Sequence, residues 1–278
     1  MRRAAALNIA KAWLLLAILA AVFGAFGWAL GGYPTASIFA FCALLAALAI
    51  YAYADRALMG MLGARAYALA EDPILSSTVE RLSAQLGVLP PKLYLIADGF
   101  PRAFSAGRGP RGSSLAVSTG LLGALPPAEL EGVLAHELAH VRSRDVLVQT
   151  FAVTLAVTLV ELSRIGGWLE RALLFALGPI AAAFVHLLLS PRREFGADRA
   201  AAVVCATPHG LADALLRLDQ AAELVSFQAS PATEPLYTIN PFEQEGLARM
   251  FDTHPALGER IARLRGLDPT WGDRLRAA

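Results

Sequence analysis

Apolar positions along this chain fall into long unbroken runs and shorter periodic stretches, and the two predict different elements. Residues 12–30 and 36–54 carry no charge at all. Each run is long enough to cross a hydrocarbon core of roughly 30 Å at about 1.5 Å per helical residue. Gly31-Gly32-Tyr33-Pro34-Thr35 between them is a tight uncharged turn. Arg2, Arg3 and Lys11 precede the first run, and Arg56 and Arg65 follow the second. Positive charge favours the cytoplasmic side, so the pair is expected to form a transmembrane hairpin with both ends cytoplasmic. A cleaved signal peptide would show a shorter run with no second run behind it.

Two shorter apolar runs follow, at 146–160 and 172–189. Arg142 and Arg144 flank one, and Arg192 and Arg193 flank the other. They read as a second, membrane-associated hairpin entered from the cytoplasm, or as a pair of buried core helices. Elsewhere the period is that of a globular domain. Residues 58–88 read as one amphipathic helix ending at Gly87, with Val79, Leu82 and Leu86 at helical spacing. Residues 92–97 and 114–118 read as strands, and 103–106, between Pro101 and Gly107, as an edge strand. Pro126 and Pro127 open a helix that runs at least to Val141. An alanine-rich helix is expected from Glu194 to about Leu224, a loop at 229–246, and a last helix at 254–264. The expected fold is thus mainly α with a small β-sheet. Its scheme is an N-terminal hairpin at 1–55 and a cytoplasmic domain at 56–278, interrupted by the 146–190 hairpin.

Composition supports a lipid environment. Of 278 residues, 56% are hydrophobic and only 17% charged, against about 45–50% and about 25% in soluble domains. The formal net charge of +1 offers no basic patch for nucleic acid. Cys42 and Cys205 are too few for a disulfide framework.

The chemistry concentrates at His136-Glu137-Leu138-Ala139-His140. Two histidines four apart stand on one helix face, so both imidazoles can reach one metal ion. Glu137 is rotated away from that pair and can take a proton from a metal-bound water as general base. Leu134, Leu138 and Val141 make the opposite face apolar, so the helix should be buried, and buried imidazoles need partners. A catalytic zinc takes three protein ligands and leaves a position open. Glu194 is the candidate third ligand, and Asp198, four residues on, can accept a hydrogen bond from a ligand histidine. Pairing of Glu194 with Arg192 or Arg193 is the alternative. Asp145 either orients a ligand or flanks the membrane. His186 lies in the fourth run, and His209 is expected at the surface. A structural zinc site would need a fourth ligand such as Cys205 or His254, and a membrane sensor module that does not cleave is the remaining alternative function.

The HELAH block, the paired spans before it, the apolar hairpin after it and Arg193-Glu194-Phe195-Gly196-Ala197-Asp198 together resemble the HtpX family of bacterial membrane zinc metalloproteases. That family is related to the CAAX prenyl proteases. The resemblance covers essentially the whole chain and is most specific at 104–140, 194–198, Thr253-His254-Pro255 and Glu259-Arg260-Ile261. It implies a zincin-like domain with one Zn2+ held by His136, His140 and Glu194, and Glu137 as catalytic base. It also implies that His254 and Arg260 approach the zinc or the developing oxyanion, though a helix start and a surface charge would leave the same trace. Further implications are protein or peptide substrates, misfolded membrane proteins among them, and a place in the bacterial inner membrane with the catalytic domain cytoplasmic. Arg102 departs from the family pattern, which has Asn before Ala103-Phe104.

Overall fold

The computed structural model of the chain describes residues 2–68, 70–164, 179, 182, 183, 185, 188–205, 209–224 and 254–267. Helix α1 (Arg2–Met61) is broken at Gly31 and Gly32, the latter at φ 70° and ψ −154°, which suits only a residue without a side chain. The two arms fold back on each other. A Cβ on Gly27 would lie 2.8 Å from Thr35 O, and the Phe26 and Phe39 rings are 5.7 Å apart. Stretch Ala5–Tyr53 is long and apolar enough to cross a membrane, with mean hydropathy 2.2 in its most apolar part. Trp13, Leu14, Phe23, Phe26, Trp28 and Leu48 stand exposed along it, as lipid-facing side chains would.

The single helix expected over 58–88 is instead interrupted. Gly63 takes a left-handed conformation (φ 64°), and a short strand β1 (Arg65–Ala66) follows. Helix α2 (Pro73–Leu86) then starts afresh. Asp72 caps it by accepting from the amides of Ile74 and Leu75, Pro73 takes the first turn, and Gly87 ends it at φ 69°.

Strands β2 (Lys92–Ile96), β3 (Ala103–Gly109) and β4 (Gly112–Ser118) complete a four-stranded mixed sheet in the order β1-β2-β4-β3. β2 and β4 run parallel, while β1 and β3 pair antiparallel at the two edges. β3 is the expected edge strand, three residues longer at its end because Gly107 (φ 129°) forms a bulge. A side chain there would meet Gly112 O at 2.6 Å.

Helices α3 (Thr119–Ala124), α4 (Pro127–Ser143) and α5 (Asp145–Arg164) follow. Two apolar cores result. One joins α2, the sheet and α4 through Leu82, Leu115, Leu134 and Leu138. The other joins the ends of α1, the outer face of β3 and α5 through Met59, Phe104, Val148 and Phe151. Residues 146–153 of α5, the described core of the third apolar run, are buried throughout. Most of 172–189, His186 and the whole of 229–246 lie outside the described residues.

The alanine-rich helix expected to Leu224 is two helices, α6 (Arg192–Val204) and α7 (His209–Leu224). Cys205 turns extended (φ −79°, ψ 154°), and Pro208 in the sequence bars continuation of the helix. His209 is buried, not at the surface, because α7 packs its start against α4. Gly210 is the contact, its Cβ position 2.5 Å from Ala128 O. The last helix, α8 (Leu257–Gly266), begins three residues later than the sequence suggests.

Candidate metal centre

Small residues let the two site-bearing helices approach. Ala139 on α4 packs against Ala197 and Ala200 on α6. Behind α4, Gly132 lies against the Leu211 backbone, where a Cβ would come within 2.6 Å of its nitrogen. The result is a helix buried from Gly132 to Val141 with both histidines in its dry interior.

His136 and His140 face one another edge to plane, with Nε2 atoms 3.2 Å apart. Glu194 closes the triangle. Its Oε2 lies 3.4 Å from His136 Nε2, and its Oε1 lies 3.5 Å from His140 Nε2. Two ligands at roughly 2.0–2.1 Å from a tetrahedral zinc stand about 3.3–3.4 Å apart, so the three atoms have the spacing such an ion requires. Glu194 is 1% exposed, and neither of its oxygens makes a hydrogen bond. Arg193 Nε stands 3.2 Å from Oε1, so the alternative pairing with a neighbouring arginine is present as an ion pair, though out of line for a hydrogen bond. The carboxylate thus keeps both oxygens clear of hydrogen bonds, as a ligand to a cation would. The three residues form a group that could hold a metal ion.

Each histidine also leans on a carboxylate through its other nitrogen. His136 Nδ1 is 2.9 Å from Asp198 Oδ1, and His140 Nδ1 is 3.2 Å from Asp145 Oδ2. Burial alone would lower the His136 pKa, but its contacts with Asp198 and Glu194 outweigh burial and lift it to about 9. Burial would raise Glu194; the nearby His140, His254, Arg193 and His136 side chains hold it well below the usual carboxylate range. Asp198, likewise opposed by burial, is held low by the Arg260 guanidinium and by His136. The pocket is therefore set to hold positive charge.

Arg260 gives Nε and Nη2 to the two oxygens of Asp198 at 2.9 and 2.8 Å and is 1% exposed. Its Nη1 lies 3.7 Å from Glu194 Oε2, and His254 Nε2 lies 3.8 Å from that same oxygen. Both therefore stand at the site, neither as a surface group. Glu137 turns to the sheet side, where Ser105 on β3 donates its hydroxyl to Oε2 at 2.9 Å. Arg102 is buried and paired with Asp98 at 2.7 Å. The edge of β3 is partly taken, since the Gly107 amide donates to Thr150 Oγ1 at 2.9 Å.

The structure thus brings His136, Glu137, His140, Glu194, Asp198, His254 and Arg260 together. Sequence reasoning missed Ser105, which sits on a strand with no motif of its own, and left Asp145 undecided. Arg144 explains Asp145. It is the one non-glycine residue with positive φ (62°) among those described, and this left-handed turn swings Asp145 back to His140.

Residues 69–268 match the profile of Peptidase family M48. The chain belongs to peptidase family M48. Relatives agree over nearly their full length. The protease HtpX homologue of Pelotomaculum thermopropionicum is 38% identical, covering 94% of this chain and 99% of the relative. That of Acidiphilium cryptum is 39% identical over 93% and 96%, and protease HtpX of Legionella pneumophila (strain Lens) 35% over 94% and 99%. The crystal structure of S. mikatae Ste24p aligns at 18% identity with a TM-score of 0.49, covering 92% of this chain and 67% of that one. This M48 peptidase is a membrane metalloprotease acting on protein or peptide substrates, with a possible metal site at His136, His140 and Glu194.

Proposed function

We propose that the chain is a zinc endopeptidase that hydrolyses peptide bonds at the cytoplasmic face of the bacterial inner membrane, in the removal of misfolded membrane proteins. The observation that supports the zinc reading is the triangle of two Nε2 atoms and a buried carboxylate whose oxygens make no hydrogen bond. His136, His140 and Glu194 would hold the ion. Zinc, when bound, supplies Lewis acidity and brings a water's pKa to about 7. Asp198 and Asp145 fix the two imidazoles so that Nε2 of each faces inward. Glu137, kept off the ligand triangle by its helix position and held by Ser105, accepts the proton of the attacking water and returns it to the leaving amine. Arg260 positions Asp198, and His254, beside the ligand Glu194, would be the donor to the developing oxyanion.

The domain scheme is a hairpin at 1–55 and a catalytic domain at 56–278, with 146–190 membrane-associated. Its support is the folded-back α1 with apolar exposed flanks and the cationic ends Arg2, Arg3, Lys11, Arg56 and Arg65. His140 precedes the third apolar run by six residues, across the left-handed turn at Arg144 that separates α4 from α5. In this scheme the centre would lie close to the bilayer, where membrane-anchored substrates would arrive.

Cleavage of an unfolded protein by full-length wild type and Glu137→Gln, with metal content measured on both, tests this. The proposal expects metal retained and cleavage abolished in the variant. Undiminished cleavage by Glu137→Gln refutes the base assignment.

A further inference from the structure

An asparagine near the start of an arm bound for a membrane is an unusual thing to bury, and Asn8 is buried. Its amide nitrogen donates to Asp145 Oδ1 at 2.6 Å and to the backbone oxygen of Ser143 at 3.2 Å. The other oxygen of that aspartate, Oδ2, faces His140 Nδ1 at 3.2 Å and also accepts from the Ser143 hydroxyl. Asn8, Asp145 and His140 therefore form one chain of contacts from the first arm of α1 to the metal centre. The contact between Asn8 and Asp145 spans 137 residues of sequence.

A second polar residue on the same arm makes the matching contact on the other side. Lys11, one helical turn after Asn8 and on the same face, donates its ammonium to the Leu188 carbonyl at 3.0 Å. Leu188 immediately precedes the turn into α6, the helix that carries Glu194. The first arm thus contacts two of the chain segments that deliver site residues: the start of α5 beside His140, and the entry to α6.

From this geometry we propose that Asn8 is a positioning residue for the metal centre, and that the first arm of α1 is a working part of that centre as well as an anchor. The proposal rests on the zinc reading above. An aspartate bonded to a ligating histidine must present one oxygen to the imidazole. Left free, its carboxylate rotates and its second oxygen seeks other donors. Asn8 occupies that second oxygen and fixes the rotation, which orients the His140 ring through Asp145. Being neutral, the amide does this without withdrawing the carboxylate's charge from the imidazole.

The test uses the full-length chain in detergent or nanodiscs, stripped of metal, with zinc affinity read by competition against a chelator of known affinity. Asn8→Leu removes the amide and keeps an apolar span; Asn8→Ala is the second variant, and thermal midpoints check that both fold. Loss of the outer partner of a ligating histidine weakens metal binding by about 10–100-fold. Asp145→Ala should fall in that range, and Asn8→Leu near its lower end, about tenfold. Because Asn8 acts through Asp145, the double variant should bind no more weakly than Asp145→Ala alone. Leu14→Ala, on the exposed flank of the same arm, should leave zinc affinity unchanged. Wild-type affinity in both Asn8 variants, or losses that multiply in the double variant, overturns the proposal while leaving the zinc reading intact. Wild-type protein that takes up no divalent metal removes both.

Discussion

The two histidines of the motif sit one helical turn apart, yet they lean on different parts of the molecule. His136 leans on Asp198, which is clamped by the two-pronged guanidinium of Arg260 from α8, the last described helix of the globular part. His140 leans on Asp145, which is held by a neutral amide from the first arm of α1 and by the Ser143 hydroxyl. The His136 side is dry and charged, with Asp198 and Arg260 both nearly inaccessible. The His140 side is more open, the Asp145 side chain being 12% exposed. Both aspartates lie within the family-matched residues, but only the one behind His140 takes a further bond from the first arm of α1. The difference teaches that losing the hairpin and losing the C-terminal helix should damage the same centre by different routes.

The comparison can be broken or sharpened by substitution. Glu137→Gln, which touches neither outer partner, should give the largest effect on turnover. Kinetics on an unfolded substrate should show a loss of about 10²–10⁴-fold, the usual worth of a positioned general base, with metal content unchanged. Asp198→Ala should give the largest combined effect. Zinc affinity should fall about 10–100-fold, and denaturant unfolding should show a cost of about 3–5 kcal/mol, because the buried Arg260 loses the two-pronged bond to Asp198. Asp145→Ala should weaken zinc binding by a similar factor but cost only about 1–3 kcal/mol, since it strands an amide and a hydroxyl and no buried cation. Equal stability losses in these two variants would contradict the contrast drawn between the two sides. Ser105→Ala should be the mildest. Loss of one hydrogen bond to a carboxylate, worth about 1.5–3 kcal/mol at most, should lower kcat/KM by roughly tenfold while zinc affinity holds.

How much of this could be read from the residues alone depends on how far each contact reaches. The motif on α4 is a local pattern, and a helix with His136 and His140 on one face needs nothing beyond its own periodicity. The strands at 92–97 and 114–118 and the edge position of β3 were legible for the same reason. Local breaks were harder. The single helix expected over 58–88 overlooked Gly63 at positive φ and the Asp72-Pro73 restart, and the helix expected to Leu224 overlooked Pro208. A single glycine or proline breaks a helix locally without interrupting the apolar period on either side of it. The outer partners had no such signal. Asn8 and Asp145 meet because three-dimensional packing brings the start of α1 beside the start of α5, and an arginine in a left-handed turn at position 144 is not a pattern that propensity favours. His209 read as a surface residue because its burial is decided by the close contact of Gly210 with Ala128 on another helix.

The most direct measurement is elemental analysis of the full-length protein purified without chelators, beside Glu194→Gln prepared identically. The account predicts one tightly held divalent ion per wild-type chain, zinc foremost, and a variant that loses it on dialysis together with its peptidase activity. Wild-type protein that is metal-free and still cleaves in the presence of excess chelator would contradict it.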